Sequence, residues 1–283
     1  MNAVLLISII LGVSLQNIAK KPFTEKTSGG GASFFSMIMG FFALLFFIFT
    51  SNGFEWNSGI IIYSAFFALS YMVCVVGAVI ATASGSLSLT ALILSYSLMI
   101  PAFYGLIFKG DPVSFGLIVG IVLLAISLFL INKKGEGKRF SLKWIISVVL
   151  SFIGNGMCSV VQNMQQVAFN EQYRNEFMII ALIFVTTISA LIFIIKERSD
   201  AKLYFRHGMI PGALSGVMNG MTNLFVMILA ERQMPVSVTF PLISAGGIIA
   251  TYIVSRFFYK EKLTKLQLCG FIVGIASVIF LNI

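Results

Sequence analysis

Charge is what this chain has least of. Asp, Glu, Lys and Arg make up only 10% of its 283 residues, against about 25% in soluble domains, so water cannot be the solvent for most of the surface. Acidic residues are the scarcest, ten in all: Glu25, Glu55, Asp111, Glu136, Glu171, Glu176, Glu197, Asp200, Glu231 and Glu261. Each falls in an expected loop or at a helix end. Ionisable groups at membrane depth normally mark proton relays and cation sites, so a midplane carboxylate exchanging protons for a bare organic cation is excluded. One histidine, His207, and three cysteines, Cys74, Cys158 and Cys269, stand in no ligand spacing. No metal and no cofactor are expected, and the cysteines read as small polarizable packing residues. With no nucleophile and base, metal set or paired carboxylates inside the apolar runs, the chain does not read as an enzyme.

What replaces charge is hydrocarbon. Hydrophobic residues form 58% of the chain and the mean hydropathy is +1.00. A helix needs about 20 apolar residues to cross a bilayer. Ten candidate runs are present, near 1–19, 33–50, 58–82, 86–108, 113–132, 143–167, 176–196, 208–230, 235–258 and 265–283. Backbone amides in lipid must bond within their own segment, so these runs are helices and not open strands. The expected fold is an all-α, multi-pass integral membrane protein, placed in the plasma membrane with the lipid bilayer as its main partner. The first run has no basic residue before Lys20, so it reads as a retained helix and not as a cleaved signal.

The net charge of +9 is distributed unevenly. Taken by alternate loops, 16 of the 19 Lys and Arg fall on one side, at Lys20–Lys26, Lys133–Lys143, Lys196–Arg206 and Arg256–Lys265. Lys109, Arg174 and Arg232 are the other three. That is the positive-inside bias, which makes the rich loops cytoplasmic and both termini external. Basic charge here is a topogenic signal and a contact with anionic lipid, not a nucleic-acid surface.

The chain also repeats itself. Asp111-x-x-Ser114-x5-Gly120 opens one apolar helix and Glu261-x-x-Thr264-x5-Gly270 opens another, 150 positions later. Ser127 falls over Ser277 and Asn132 over Asn282, while Gln16-Asn17 recurs as Gln162-Asn163 at an offset of 146. Residues 1–132 and 143–283 thus read as two five-helix copies joined by a charged linker, 133–142. Five crossings is an odd number, so the second copy enters from the opposite side and the repeats are inverted, a recurrent transporter design.

Ten helices in two halves, each with an acidic-x-x-[Ser/Thr]-x5-Gly motif before its last helix, resemble the EamA-type branch of the drug/metabolite transporter superfamily. Pro241, twenty residues before Glu261, resembles a proline of that family's ninth helix. Asp111 stands where the family more often has glutamate, and Ala91 occupies the first-half position of Pro241. The resemblance implies a central cavity lined by the first, third, fourth, sixth, eighth and ninth helices. It also implies cytoplasmic termini in many members, the reverse of the charge bias here.

Polar residues inside the runs recur at helical spacing. Asn155, Ser159, Gln162 and Gln166 share one face of the sixth run. Ser215, Asn219, Thr222 and Asn223 lie beside a Gly212, Gly216, Gly220 ridge on the eighth. Amides facing lipid would cost several kcal/mol each, on the order of their unsatisfied hydrogen bonds, so these faces point inward. They serve either as interhelical bonds, about 0.6 kcal/mol per pair, or as the wall of a hydrated cavity. The candidate substrate-binding residues are Gln16, Asn17, Tyr96, Ser97, Asn155, Gln162, Asn163, Asn219 and Asn223.

Other motifs carry structural readings. Gly116-x3-Gly120 and Gly270-x3-Gly274 fit close packing within the bundle or a homodimer seam, with the monomer favoured. Gly246-Gly247 permits a bend or a close approach. Asp111, Ser114, Glu261 and Thr264 fit helix caps. The expected function is a secondary transporter or facilitator for a small organic molecule, neutral or zwitterionic, working by alternating access. A flippase for a lipid-linked substrate, or a receptor or scaffold without transport, are the alternatives.

Overall fold

The computed structural model describes residues 2–51, 53–104, 107–108, 114–132, 141–170, 172–231, 236–260 and 263–280. Asp111, Glu261, Asn282 and most of the linker lie outside the described residues, and the side chains of Asn132 and Pro241 are likewise not described. The described chain is all-helical: α1 (Asn2–Lys26), α2 (Ala32–Thr50), α3 (Ile60–Ser84), α4 (Leu87–Ser95), α5 (Met99–Tyr104), α6 (Phe115–Asn132), α7 (Leu142–Ala168), α8 (Arg174–Ile192), α9 (Ala201–Glu231), α10 (Val236–Phe258) and α11 (Lys265–Phe280). No strand occurs among the described residues.

Polarity is arranged inside out relative to a soluble bundle. Ile7, Leu11, Phe66, Leu69, Ile118, Val122, Ile145, Val149, Ile253 and Ile272 are exposed on the helices. Ser36, Ser64, Ser151, Gln165, Ser189, Ser215 and Ser277 are wholly buried. Among the described residues, α1, α2, α3, α7 and the run Arg174–Val226, which holds α8 and most of α9, are long and apolar enough to cross a membrane. Shorter apolar stretches are Phe115–Ser127, Ile243–Phe258 and Lys265–Phe280. This composition is compatible with an integral membrane protein.

Helix ends are set by local caps. Ser86, Ser114 and Ser141 accept from the backbone N–H groups of Leu89, Leu117 and Trp144, at 3.2, 3.0 and 3.1 Å. Thr264 and Gln267 form a reciprocal capping box at α11, Oγ1 accepting from Gln267 N at 3.2 Å and Gln267 Oε1 accepting from Thr264 N at 3.0 Å. The second part of each repeated signature is therefore a cap. Glu197 acts at a distance: its carboxylate accepts from Ser33 N and Phe34 N at 3.1 and 3.0 Å, satisfying the first turn of α2. The preceding α1–α2 turn needs glycine at Gly31, where φ is +74° and a Cβ would strike Phe23 and Tyr204.

Two boundaries differ from the apolar runs. Helix α1 continues seven residues beyond position 19 to Lys26, through Pro22, and α9 begins at Ala201, before the expected 208. Hydropathy marks where lipid ends, whereas a helix stops where its backbone bonds stop. The fourth run is not one helix: α4 ends at Ser95, a 3-10 turn spans Tyr96–Leu98, and α5 follows.

The packing pattern is duplicated. α3 packs on α7 as α9 packs on α1; α2 packs on α9 as α8 packs on α3; α2 meets α8, α4 meets α10, and α6 meets α11. At the α6–α11 seam, Ser127 Oγ donates to the Gly270 carbonyl and Ser277 Oγ donates to the Gly120 carbonyl, each at 2.8 Å. Moving either bond by 150 positions gives the other. Gly274 sits against Tyr96 and Ser127, so the glycine spacings of α6 and α11 are used inside the bundle.

Candidate functional site

The interior polar residues converge on a cavity of about 300 Å³ between α1, α3, α7 and α9, with contributions from α2, α4 and α8. Glycines bring the walls together. A Cβ on Gly154 would meet Cys74 N at 2.6 Å, and one on Gly77 would meet the Ser147 carbonyl at 2.8 Å, so α3 and α7 touch backbone to backbone. A Cβ on Gly12 of α1 would meet the Thr222 side-chain hydroxyl of α9 at 2.7 Å. The Gly212, Gly216 and Gly220 ridge faces α2, at Ile38, Met39 and Phe46, and not the cavity. Gly246 and Gly247 face Ile10 and Val13 of α1.

Six of the nine candidate residues line this cavity: Gln16, Asn17, Asn155, Gln162, Asn219 and Asn223. Gln16, Asn155 and Asn219 are bonded across helices. Asn219 Nδ2 donates to Gln16 Oε1 at 3.1 Å, and Gln16 Nε2 donates to Thr222 Oγ1 at 3.4 Å. Tyr71 OH donates to Asn219 Oδ1 at 3.4 Å, while Asn223 Nδ2 donates to the Asn219 carbonyl at 2.8 Å. On the opposite wall Asn155 Nδ2 donates to Ser97 Oγ at 2.6 Å, and Cys74 Sγ lies 3.7 Å from Asn155 Oδ1.

Three candidates are elsewhere. Tyr96 is 1% exposed, its hydroxyl 2.8 Å from Ser127 Oγ, because the 3-10 turn swings it toward α6 and α11. Ser97 is buried behind Asn155 and holds that amide without lining the cavity. Asn163 is half-buried and does not line it. The lining of α7 is Asn155, Cys158, Ser159 and Gln162, and Asn163 stands roughly 90° from the centre of that face at about 100° per residue.

Six lining residues with polar or thiol chemistry stand outside the nine candidates: Ser159 and Thr222, on faces the sequence marks as polar, and four others. Cys74 and Cys158, which by sequence read as packing residues, both border the cavity as free thiols. Tyr71 is the hydroxyl donor to Asn219. Lys20 is the larger surprise, being 8% exposed and on the cavity wall. By sequence it opens the basic loop, because charge usually ends a span. Its spacing was the available signal: Val13, Gln16, Asn17 and Lys20 follow one helical face. Its ammonium reaches Asn17 Oδ1 at 3.5 Å. The apolar part of the wall is Val13, Met39, Phe67, Val75, Ala78, Leu94 and Met178.

No family model matches the chain, and no curated protein matches it. Among solved structures, one described only as "Crystal structure of protein" superposes with a TM-score of 0.54 at 12% sequence identity. The match covers 98% of this chain and 95% of that one. At that identity the likeness shows the fold alone, extended over both chains almost end to end.

Proposed function

We propose that this protein is a secondary transporter or facilitator that carries a small organic molecule across a membrane. In this reading α1, α2, α3, α4 with α5, α6, α7, α8, α9, α10 and α11 form ten crossings, five in each of two inverted halves of the EamA type. One observation carries the reading: a polar cavity lies inside an apolar bundle, walled by α1 and α3 from one half and α7 and α9 from the other. A scaffold gains nothing from amides held around a void, whereas a carrier needs a hydrated midplane site between its halves. The exchanged seryl bonds of α6 and α11 and the duplicated packing support the two-fold relation.

The cavity's asymmetry supports alternating access. Subtracting the 146-residue offset carries Asn155, Cys158, Ser159 and Gln162 onto Ile9, Gly12, Val13 and Gln16. The α1 lining, however, is Val13, Gln16, Asn17 and Lys20. It is displaced by one turn, about 5.4 Å, toward the Lys-rich end of α1. Exchanging the two halves would move the lining of α7 one turn on, to Ser159, Gln162, Asn163 and Gln166. In the opposite-access state Asn163 and Gln166 therefore enter the cavity as Asn17 and Lys20 leave it.

The test is flux in reconstituted vesicles combined with thiol accessibility. Saturable, substrate-specific counterflow is expected. Single cysteines at positions 17 and 163 should respond oppositely to a substrate gradient. Absence of flux across a broad metabolite panel, or accessibility that never varies, would sink the proposal.

A further inference from the structure

We infer that the cavity is an anion site, and that its cargo is an organic monoanion: a carboxylate head held by Lys20 on an apolar body. The inference rests on the transport reading for the word cargo, but the binding site itself stands on its own geometry.

Lys20 is the single charged side chain among the described residues lining the cavity. An ammonium carries three donors, and among the described residues the acceptor it reaches is Asn17 Oδ1, at the long distance of 3.5 Å. No carboxylate lines the described wall. A desolvated charge without a counter-charge is costly. A lysine held there against that cost is accounted for by an anion that arrives with the ligand.

The rest of the wall fits the remainder of such a molecule. Gln16, Asn17 and Lys20 are the last three of the four lining residues on α1. Phe67 stands at the other end of the α3 face, seven residues before Cys74, about 10 Å along the axis. There Phe67 stacks with Tyr71 at 5.9 Å between ring centroids and meets Phe177 edge-on at 5.4 Å, with Met178 beside them on the wall. That end offers sulfur and aromatic surface, and the Lys20 end offers the charge. One cation matches one negative charge, which selects a carboxylate over a phosphate monoester dianion. It also selects against a zwitterion, whose ammonium would find no carboxylate on the described wall.

The experiment measures equilibrium binding to the purified full chain in detergent, by calorimetry and thermal shift. The probes are aliphatic and aryl monocarboxylates, each beside its primary amide, its α-amino acid and its phosphate monoester. At least one carboxylate should bind about tenfold or more tightly than its amide, as a charge-assisted hydrogen bond requires. Lys20→Gln should abolish that preference and Lys20→Arg should retain part of it. Unliganded Lys20→Gln should melt at or above the wild-type temperature, which separates lost binding from lost folding. If no carboxylate binds, if amides, zwitterions or phosphate esters bind better, or if Lys20→Gln keeps the preference, the anion site is wrong. Lys20-dependent binding without flux in vesicles would overturn the transport reading and leave the anion site standing.

Discussion

Replacing Asn219 with leucine separates the stability of the interior network from its use. Asn219 is the hub: its amide donates to Gln16 Oε1 at 3.1 Å, accepts from Tyr71 OH at 3.4 Å and accepts from Asn223 Nδ2 at 3.4 Å on the same Oδ1. Leucine removes all three. The bonds to Gln16 and Tyr71 are interhelical, about 0.6 kcal/mol each in a membrane protein, while Asn223 lies on α9 with Asn219 and keeps its carbonyl at 2.8 Å, so the loss is bounded between about 1 and 2 kcal/mol. Gln16 and Tyr71 both line the cavity and can take water in place of the lost amide, which lowers the expected cost to about 1 kcal/mol. Thermal unfolding in detergent should therefore shift modestly, while initial flux in vesicles falls at least tenfold. A cycle with Gln16→Leu should show coupling of about 0.6 kcal/mol. Additive effects, or normal flux in a correctly folded Asn219→Leu protein, would refute the role of the hub.

Other outcomes follow from the packing. Ser277→Ala should cost about 0.6 kcal/mol and Ser127→Ala about twice that, because Ser127 bonds the Tyr96 hydroxyl as well as the Gly270 carbonyl, whereas Ser277 bonds the Gly120 carbonyl. In a Tyr96→Phe background the two shifts should become equal, and shifts still unequal there would argue against the two-fold relation at that seam. Gly154→Val should lower the yield of monodisperse protein and cost about 1–3 kcal/mol by overpacking, since even its Cβ would meet Cys74 N at 2.6 Å; normal stability would show that α3 and α7 can separate freely. Thr264→Ala should destabilise α11 by about 1 kcal/mol without changing substrate affinity, measured by melting and by binding. Among the native thiols, alkylation of Cys74 by a small water-soluble reagent should block flux and be slowed by substrate. Cys269, exposed on α11, should be insensitive to substrate, and protection at both thiols alike would argue against a cavity-specific effect.

Much of the architecture was legible in the chain. Long apolar runs leave the backbone no partner but itself, so helix was forced before any contact was known. Ser114 and Thr264 could be read as caps because a cap is local, decided within one turn. The inward faces of α1, α7 and α9 were legible for a similar reason. Asn155, Gln162, Asn219 and Asn223 repeat at helical spacing, and an amide has nowhere to go in hydrocarbon but inward.

Tertiary structure decided the rest. Tyr96 and Ser97 sit in an apolar run like the other candidates, yet a 3-10 turn points one at Ser127 and places the other behind Asn155. Periodicity cannot foresee that turn. Asn163 repeats the dipeptide of Asn17, but the lining of α7 ends one residue short of it, and which turn of a helix faces the void belongs to the packed helices and not to the dipeptide. Lys20 shows the difference most clearly. As a residue in a row it is a positive charge at the end of a hydrophobic run, and that is where a loop begins. Only the continuation of α1 to Lys26, and the closing of α3, α7 and α9 around it, turns the same charge into the wall of a cavity. Composition sets the solvent each segment can tolerate, but the position of a charge relative to a void is a property of the packed helices.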